Sequence, residues 1–116
     1  MGFWHMFVHP KGLRDLDPEE ILHLQSAGPK TRIVDVRTPG EFRRGHIRGA
    51  LSAPLGSTQD AVREWPRETP ILLICQSGHR SQAAAHDLLK LGFRDLAHLK
   101  GGMGRWVRHG APLERG

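Results

Sequence analysis

The sequence holds a single cysteine, Cys75, in 116 residues, so no disulfide can form within the chain, and CxxC-type redox or zinc chemistry is excluded. A lone thiol fits a reducing compartment. No apolar run approaches the roughly 20 residues that a membrane span requires. The apolar opening Met1 to Val8, MGFWHMFV, lacks a basic start, an adequate h-region and a small-residue cleavage site, which argues against a signal peptide. The expectation is a soluble, cytoplasmic protein with no membrane partner. Lys and Arg are nowhere interleaved with aromatics over a long stretch; Phe42-Arg43-Arg44 is too short for a nucleic-acid stripe, so no nucleic-acid partner is expected. No internal repeat or low-complexity tract is present.

What is there is enough for one folded domain. The chain is 38% hydrophobic and 25% charged, which supports a core and excludes disorder as the default, and its length suits one domain rather than two. Seventeen Lys and Arg against twelve Asp and Glu give a formal charge of +5. That excess favours anionic partners, here a small anionic substrate.

Short apolar runs alternate with helix-like segments between Gly and Pro, the pattern of an α/β domain. Asp17 is placed to cap a first helix, with Pro18 at its first position, Glu19 and Glu20 in its first turn, and Gly28 at its end. Ile33, Val34 and Val36 read as a strand that stops at the breaker Thr38-Pro39-Gly40, with a helical turn over 41–44. Residues 50–53 read as a second short strand before Pro54. Ser57 or Thr58 is expected to cap a helix carrying Ala61, Val62 and Trp65. Ile71-Leu72-Leu73-Ile74 is continuously apolar, as a central parallel strand covered on both faces should be. A loop over 75–80, a helix from Ser81 to a left-handed cap at Gly92, a strand over 96–99 and a short helix holding Met103, Trp106 and Val107 complete the reading.

The chemistry centres on Cys75-Gln76-Ser77-Gly78-His79-Arg80, which joins the central strand to a helix N-terminus. Such a loop can turn its backbone N–H groups towards the sulfur and add them to the helix dipole, forming an anion cradle around a nucleophile. Gly78 permits a backbone angle that a side chain resists, and Arg80 and His79 add charge at the rim. The surroundings should favour thiolate over thiol at Cys75. A buried, inert cysteine is the bland alternative, but the end of a central parallel strand is where open α/β sheets bind ligands.

The sequence resembles the single-domain rhodaneses, a family of sulfurtransferases. The resemblance rests on three ordered motifs: CQSGHRS at 75–81, DVRTPGEFRRGHIRGA at 35–50 followed by Ala53-Pro54-Leu55, and GGMGRW at 101–106. It covers about residues 12 to 110. It implies an α/β, rhodanese-like fold: a five-stranded parallel sheet with helices on both faces, over a domain at 12–110, between an apolar N-terminal extension at 1–11 and a C-terminal tail at 111–116. It also implies a double displacement. A sulfane donor such as thiosulfate gives its outer sulfur to Cys75, and a thiol or cyanide, or a protein acceptor, removes it; no metal or organic cofactor is required. Gln76, Ser77, Gly78, His79, Arg80, Ser81 and Arg37 are the substrate-binding candidates.

Asp35, Glu41 and His46 are read as structural support, because buried polar groups must be satisfied. Gly45, Gly49, Gly101 and Gly102 are assigned to tight turns and Trp106 to the core. His5 and His9 are four residues apart, but Pro10 makes a helix there doubtful, and no metal site is expected. For Phe3 to Val8 three arrangements are open: packing over the domain, adding a strand, or joining a neighbouring molecule. Packing on its own domain is favoured, since a free apolar tail risks aggregation. Two other functions compete. Cysteine phosphatases and arsenate reductases hold an oxyanion in a similar loop, but the phosphatase pattern C-(x)5-R is one residue longer than Cys75 to Arg80. A non-catalytic rhodanese-like module would commonly lack the cysteine.

Overall fold

In the computed structural model, which describes residues 9–116, the chain forms one five-stranded sheet. Its strands are β1 (Leu13–Leu16), β2 (Arg32–Asp35), β3 (Leu51–Ser52), β4 (Ile71–Ile74) and β5 (Leu96–Leu99). They lie in the order β1-β5-β4-β2-β3 and every pairing is parallel. The helices are α1 (Pro18–Ser26), α2 (Pro39–Arg44), α3 (Thr58–Val62), α4 (His79–Lys90) and α5 (Gly102–Arg108).

The apolar run 71–74 is explained by its place at the sheet centre. Successive side chains of a strand point to opposite faces. Ile71 and Leu73 pack with Val62, Ala84, Ala85 and Leu88 of α3 and α4. Leu72 and Ile74 pack with Ile21 of α1 and with Met103 and Trp106 of α5. All four are buried, so neither face tolerates a polar residue. Trp106 is buried in the second cluster, as expected, and its indole N–H donates to Pro112 O at 2.8 Å. That bond and the backbone pairing of His46 with Glu114 lay residues 111–116 on the domain. Residues 1–8, with the apolar segment and His5, lie outside the described residues.

Several local expectations need correction. The first strand, Leu13–Leu16, was not legible because its LRDL sequence alternates neither in character nor in burial. Thr38-Pro39-Gly40 starts a helix rather than breaking a strand: the Thr38 hydroxyl accepts from Glu41 N–H, the Glu41 carboxylate accepts from Thr38 N–H, and Pro39 sits in the first turn. The strand expected over 50–53 spans only Leu51–Ser52. Helix α3 stops at Val62, short of Trp65, and neither Ser57 nor Thr58 caps it through a side chain. The Thr58 hydroxyl donates to the carbonyls of Ala53 and Pro54 instead. The loop after β4 is shorter than expected, because α4 begins at His79 behind a left-handed Gly78. Gly92 does take the left-handed conformation after α4, at φ 102°. Among the described residues no helix is long and apolar enough to cross a membrane.

Candidate active site

The parallel arrangement puts the C-terminal ends of β2, β4 and β5 side by side, so residues distant in sequence meet around Cys75. Cys75 is buried, at 1% exposure, at the mouth of β4. Its Sγ accepts a hydrogen bond from Gly78 N–H at 2.8 Å. Reaching back over three residues requires the left-handed turn at Gly78, φ 99°, which glycine adopts without steric cost. The sulfur also lies 3.4 Å from Ser81 Oγ. Gly78 is the N-cap of α4, so the sulfur faces the positive end of a 12-residue helix.

The front of the loop is held by the turn between β5 and α5. Met103 N–H donates to Cys75 O at 2.8 Å and Gly104 N–H to Gln76 O at 3.3 Å. Gly102 lies so close that a Cβ there would fall into the Gln76 carbonyl and 2.6 Å from Cys75 O. Its role as a turn residue is thus also a close approach to the loop carrying the cysteine. Gln76, Ser77 and His79 are exposed on the outer side, with Ser77 Oγ 3.0 Å from His79 Nδ1.

The motif at 35–50 forms the wall beside the loop. Asp35, fully buried, pairs with Arg37, which is 4% exposed. Arg37 Nε and Nη2 donate to the carboxylate, Nη2 also donates to Gly45 O at 2.8 Å, and Nη1 reaches Gln76 Oε1 at 3.5 Å. A buried pair of this kind is tolerable because its hydrogen-bonding groups are met. His46 stacks on Phe42 with ring centres 3.8 Å apart, and its Nδ1 lies 2.9 Å from Phe42 O. Arg80 turns sideways onto Glu41, with Nη1–Oε1 at 2.7 Å and Nη2–Oε2 at 2.9 Å. Hydrogen bonds from Arg80, working against partial burial, hold the Glu41 carboxyl down to about 2, with Thr38 N–H assisting. The structure therefore brings Arg37, Arg80, Ser81, Asp35 and Glu41 together around the loop, whereas His46 packs on Phe42 and pairs with Glu114.

Beyond Ser81 lie two residues that sequence reading did not include, His98 and Asp15. Ser81 Oγ is 2.8 Å from His98 Nδ1. His98, a β5 residue that is 2% exposed, points its Nε2 at Asp15 Oδ1, 2.7 Å away. Asp15 also meets His9 Nε2 at 2.7 Å. The usable signal was a histidine inside the apolar strand Leu96–Leu99, since a buried imidazole needs partners. Burial pushes His98 below its ordinary value, against the carboxylate of Asp15. Burial works the other way on Asp15, but its hydrogen bonds from His9 and His98 prevail and hold its carboxyl low. The three potential ligand atoms of His9, Asp15 and His98 lie within 4.8 Å of one another, but the two 2.7 Å separations are those of hydrogen bonds. A groove of about 820 Å³, lined by α1, Arg48, Trp106 and residues 112–114, contains no residue of the cysteine loop.

Comparison with known proteins agrees with this architecture. A sulfurtransferase from Allochromatium vinosum is 31% identical over 87% of this chain and 94% of its own. The thiosulfate sulfurtransferase GlpE of Stutzerimonas stutzeri is 35% identical over 85% of this chain and 88% of its own. The crystal structure of the Alr3790 protein from Anabaena sp. superposes with a TM-score of 0.80 at 26% identity, covering 86% of this chain and 82% of that one. The family model for the rhodanese-like domain matches residues 17–109, and with relatives named as sulfurtransferases over most of its length, the chain belongs to the rhodanese-like domain family.

Proposed function

We propose that this protein moves sulfane sulfur from a small anionic donor such as thiosulfate to a thiophilic acceptor, a thiol or cyanide, through a persulfide on Cys75. The observation that carries the reading is the Gly78 N–H donating to Cys75 Sγ at 2.8 Å at the N-terminus of α4. That arrangement stabilises negative charge at the position where a nucleophilic thiolate must form. The thiolate attacks the outer sulfur of the donor, the S–S bond of thiosulfate breaks, and sulfite leaves with the bonding pair. The acceptor then takes the outer sulfur and returns Cys75 to the thiolate.

The site residues divide by position. Gln76, Ser77 and His79, on the exposed side of the loop, face arriving substrate. Gly78 and Ser81 act on the sulfur itself. Arg80 uses two of its five donors on Glu41, leaving the others for a dianionic donor. Arg37 supports the loop through Gln76, and Asp35, Glu41 and His46 hold the wall. A free nucleophilic thiol works in a reducing milieu, so the cytoplasm is the proposed compartment, and a protein acceptor is compatible with the exposed outer loop. Intact-mass measurement after thiosulfate treatment tests the proposal: one added sulfur, roughly 32 Da, should appear and be removed by cyanide. No adduct on folded protein would sink it.

A further inference from the structure

Four side chains form a continuous chain from the reacting sulfur to the surface: Cys75 Sγ, Ser81 Oγ at 3.4 Å, His98 Nδ1 at 2.8 Å from that oxygen, and Asp15 Oδ1 at 2.7 Å from His98 Nε2. Cys75 directly follows β4, and the other three come from α4, β5 and β1. Asp15 and His98 are direct register partners across β1 and β5, so the sheet itself sets their meeting. We propose that Ser81, His98 and Asp15 form a proton relay that takes up the Cys75 thiol proton and so generates the attacking thiolate. The inference rests on the sulfurtransferase reading for its purpose, but not for its geometry.

The hydrogen-bond inventory supports it. A serine hydroxyl has one proton to give, and Ser81 Oγ has three neighbours: Gly78 O at 3.0 Å, His98 Nδ1 and Cys75 Sγ. In the resting arrangement the thiol donates to Ser81 Oγ, the serine proton points at an unprotonated His98 Nδ1, and His98 Nε2–H donates to the carboxylate of Asp15. On transfer the thiol proton moves to Ser81 Oγ while the serine proton moves to His98 Nδ1. The sulfur becomes a thiolate that accepts from the serine, His98 becomes an imidazolium between Ser81 and Asp15, and net charge is unchanged.

The charged groups that face the relay divide by sign. Asp15 favours the imidazolium from β1, whereas His9, whose ring centre is 5.5 Å from that of His98, and Lys100 at the end of β5 oppose it. On the sulfur side Arg80 carries the facing positive charge from α4. Burial keeps His98 below its ordinary value, so the ring is neutral and free to accept a proton at neutral pH. His9 Nδ1 faces Pro10 O at 3.1 Å while its Nε2 faces Asp15. Its half-exposed ring therefore gives the relay an end at solvent.

The composition makes the test unusually clean. With one cysteine and no tyrosine in the chain, ultraviolet absorbance of thiolate titrates Cys75 alone, without tyrosinate interference. Wild type, Asp15→Asn and His98→Asn are titrated with EDTA present, and their folding is checked by circular dichroism. Both variants should show the thiolate midpoint displaced upward by about one pH unit, a tenfold loss of thiolate at neutral pH. Turnover should fall in parallel at pH 7 and recover in alkali. Asp15 is half-exposed, so its variant keeps the test decisive even if His98→Asn does not fold. A wild-type midpoint in folded Asp15→Asn, or activity reduced by one factor at every pH, would overturn the relay. Absence of the persulfide adduct in wild type would instead refute the sulfur-transfer reading and leave the titration result standing.

Discussion

Gly102→Ala tests how far the thiol's cradle depends on a neighbouring turn. Gly102 has φ 66°, a conformation that costs an alanine about 1 kcal/mol. Its new Cβ would also meet the backbone of Gln76 and the Cys75 carbonyl at 2.6 Å. Those atoms cannot swing aside as a side-chain end would, because Cys75 O and Gln76 O accept from Met103 and Gly104. Separating the two segments sacrifices both bonds, each worth about 1 kcal/mol net, so the substitution should cost about 3 kcal/mol. Gly49→Ala is the matched control: φ is also positive there, at 82°, but nothing lies within 4 Å of the added Cβ, so only the conformational cost of about 1 kcal/mol remains. Urea unfolding of both variants measures the difference, and persulfide loading by intact mass shows whether the displaced loop still holds sulfur. Equal stability losses in the two variants, or full loading in Gly102→Ala, would show that the turn does not brace the cysteine loop.

Cys75→Ser should abolish thiosulfate-dependent thiocyanate formation with little change in urea midpoint; wild-type turnover in the purified variant would exclude Cys75 as carrier. Glu41→Gln keeps the capping group but loses the ion pair with Arg80. Because the folded carboxyl is held at about 2 instead of 4.5, its contribution is complete above pH 4.5 and lost as pH falls towards 2. Allowing for its partly exposed partner, wild type should lead by about 1–2 kcal/mol at pH 7 and by nothing near pH 2, measured by urea melts across that range. Arg80→Ala should raise KM for thiosulfate more than it lowers turnover with a neutral donor, and salt should narrow the difference; equal losses at every ionic strength would restrict Arg80 to bracing Glu41. Inserting Gly between Ser77 and Gly78 should move the Gly78 amide off the sulfur and weaken persulfide formation. Parallel assays with an aryl phosphate will show whether the wider loop admits oxyanions, and unchanged sulfur transfer would refute loop length as the selector.

Local chemistry was the legible part of this molecule. The strand Ile71–Ile74, the Gly78 turn and the helix behind it are encoded within a few consecutive residues, so the position of Cys75 at the strand end, with a loop turning its amide towards the sulfur, could be read directly. Helix starts were less legible: Thr38-Pro39-Gly40 carries both breaker and capping chemistry, and only the reciprocal bonds between Thr38 and Glu41 decide between them. Partners set by tertiary register were not legible at all. Arg80 meets Glu41 across 39 residues and His98 meets Asp15 across 83, and neither separation leaves a periodic trace. The second pairing follows only from placing β1 beside β5, and β1 itself has no alternation to announce it.

Under the proposed sulfur transfer, the charge arrangement around the loop should favour a persulfide over a tetrahedral oxyanion. Arg80 directs two of its donors at Glu41, so the positive source in direct contact with the sulfur is the Gly78 amide at the start of α4. That field is narrow and lies along the line from helix to sulfur. The proposed persulfide would place its charge on one atom directly beyond Sγ, next to the same source. A phosphoryl group spreads its charge over several oxygens, each needing a donor at hydrogen-bond distance, and the turn braced by Gly102 leaves the loop no slack to supply them. The close approach of Gly102 and the ion pair of Arg80 thus act in the same direction, keeping the cradle small and its charge directed at a single atom.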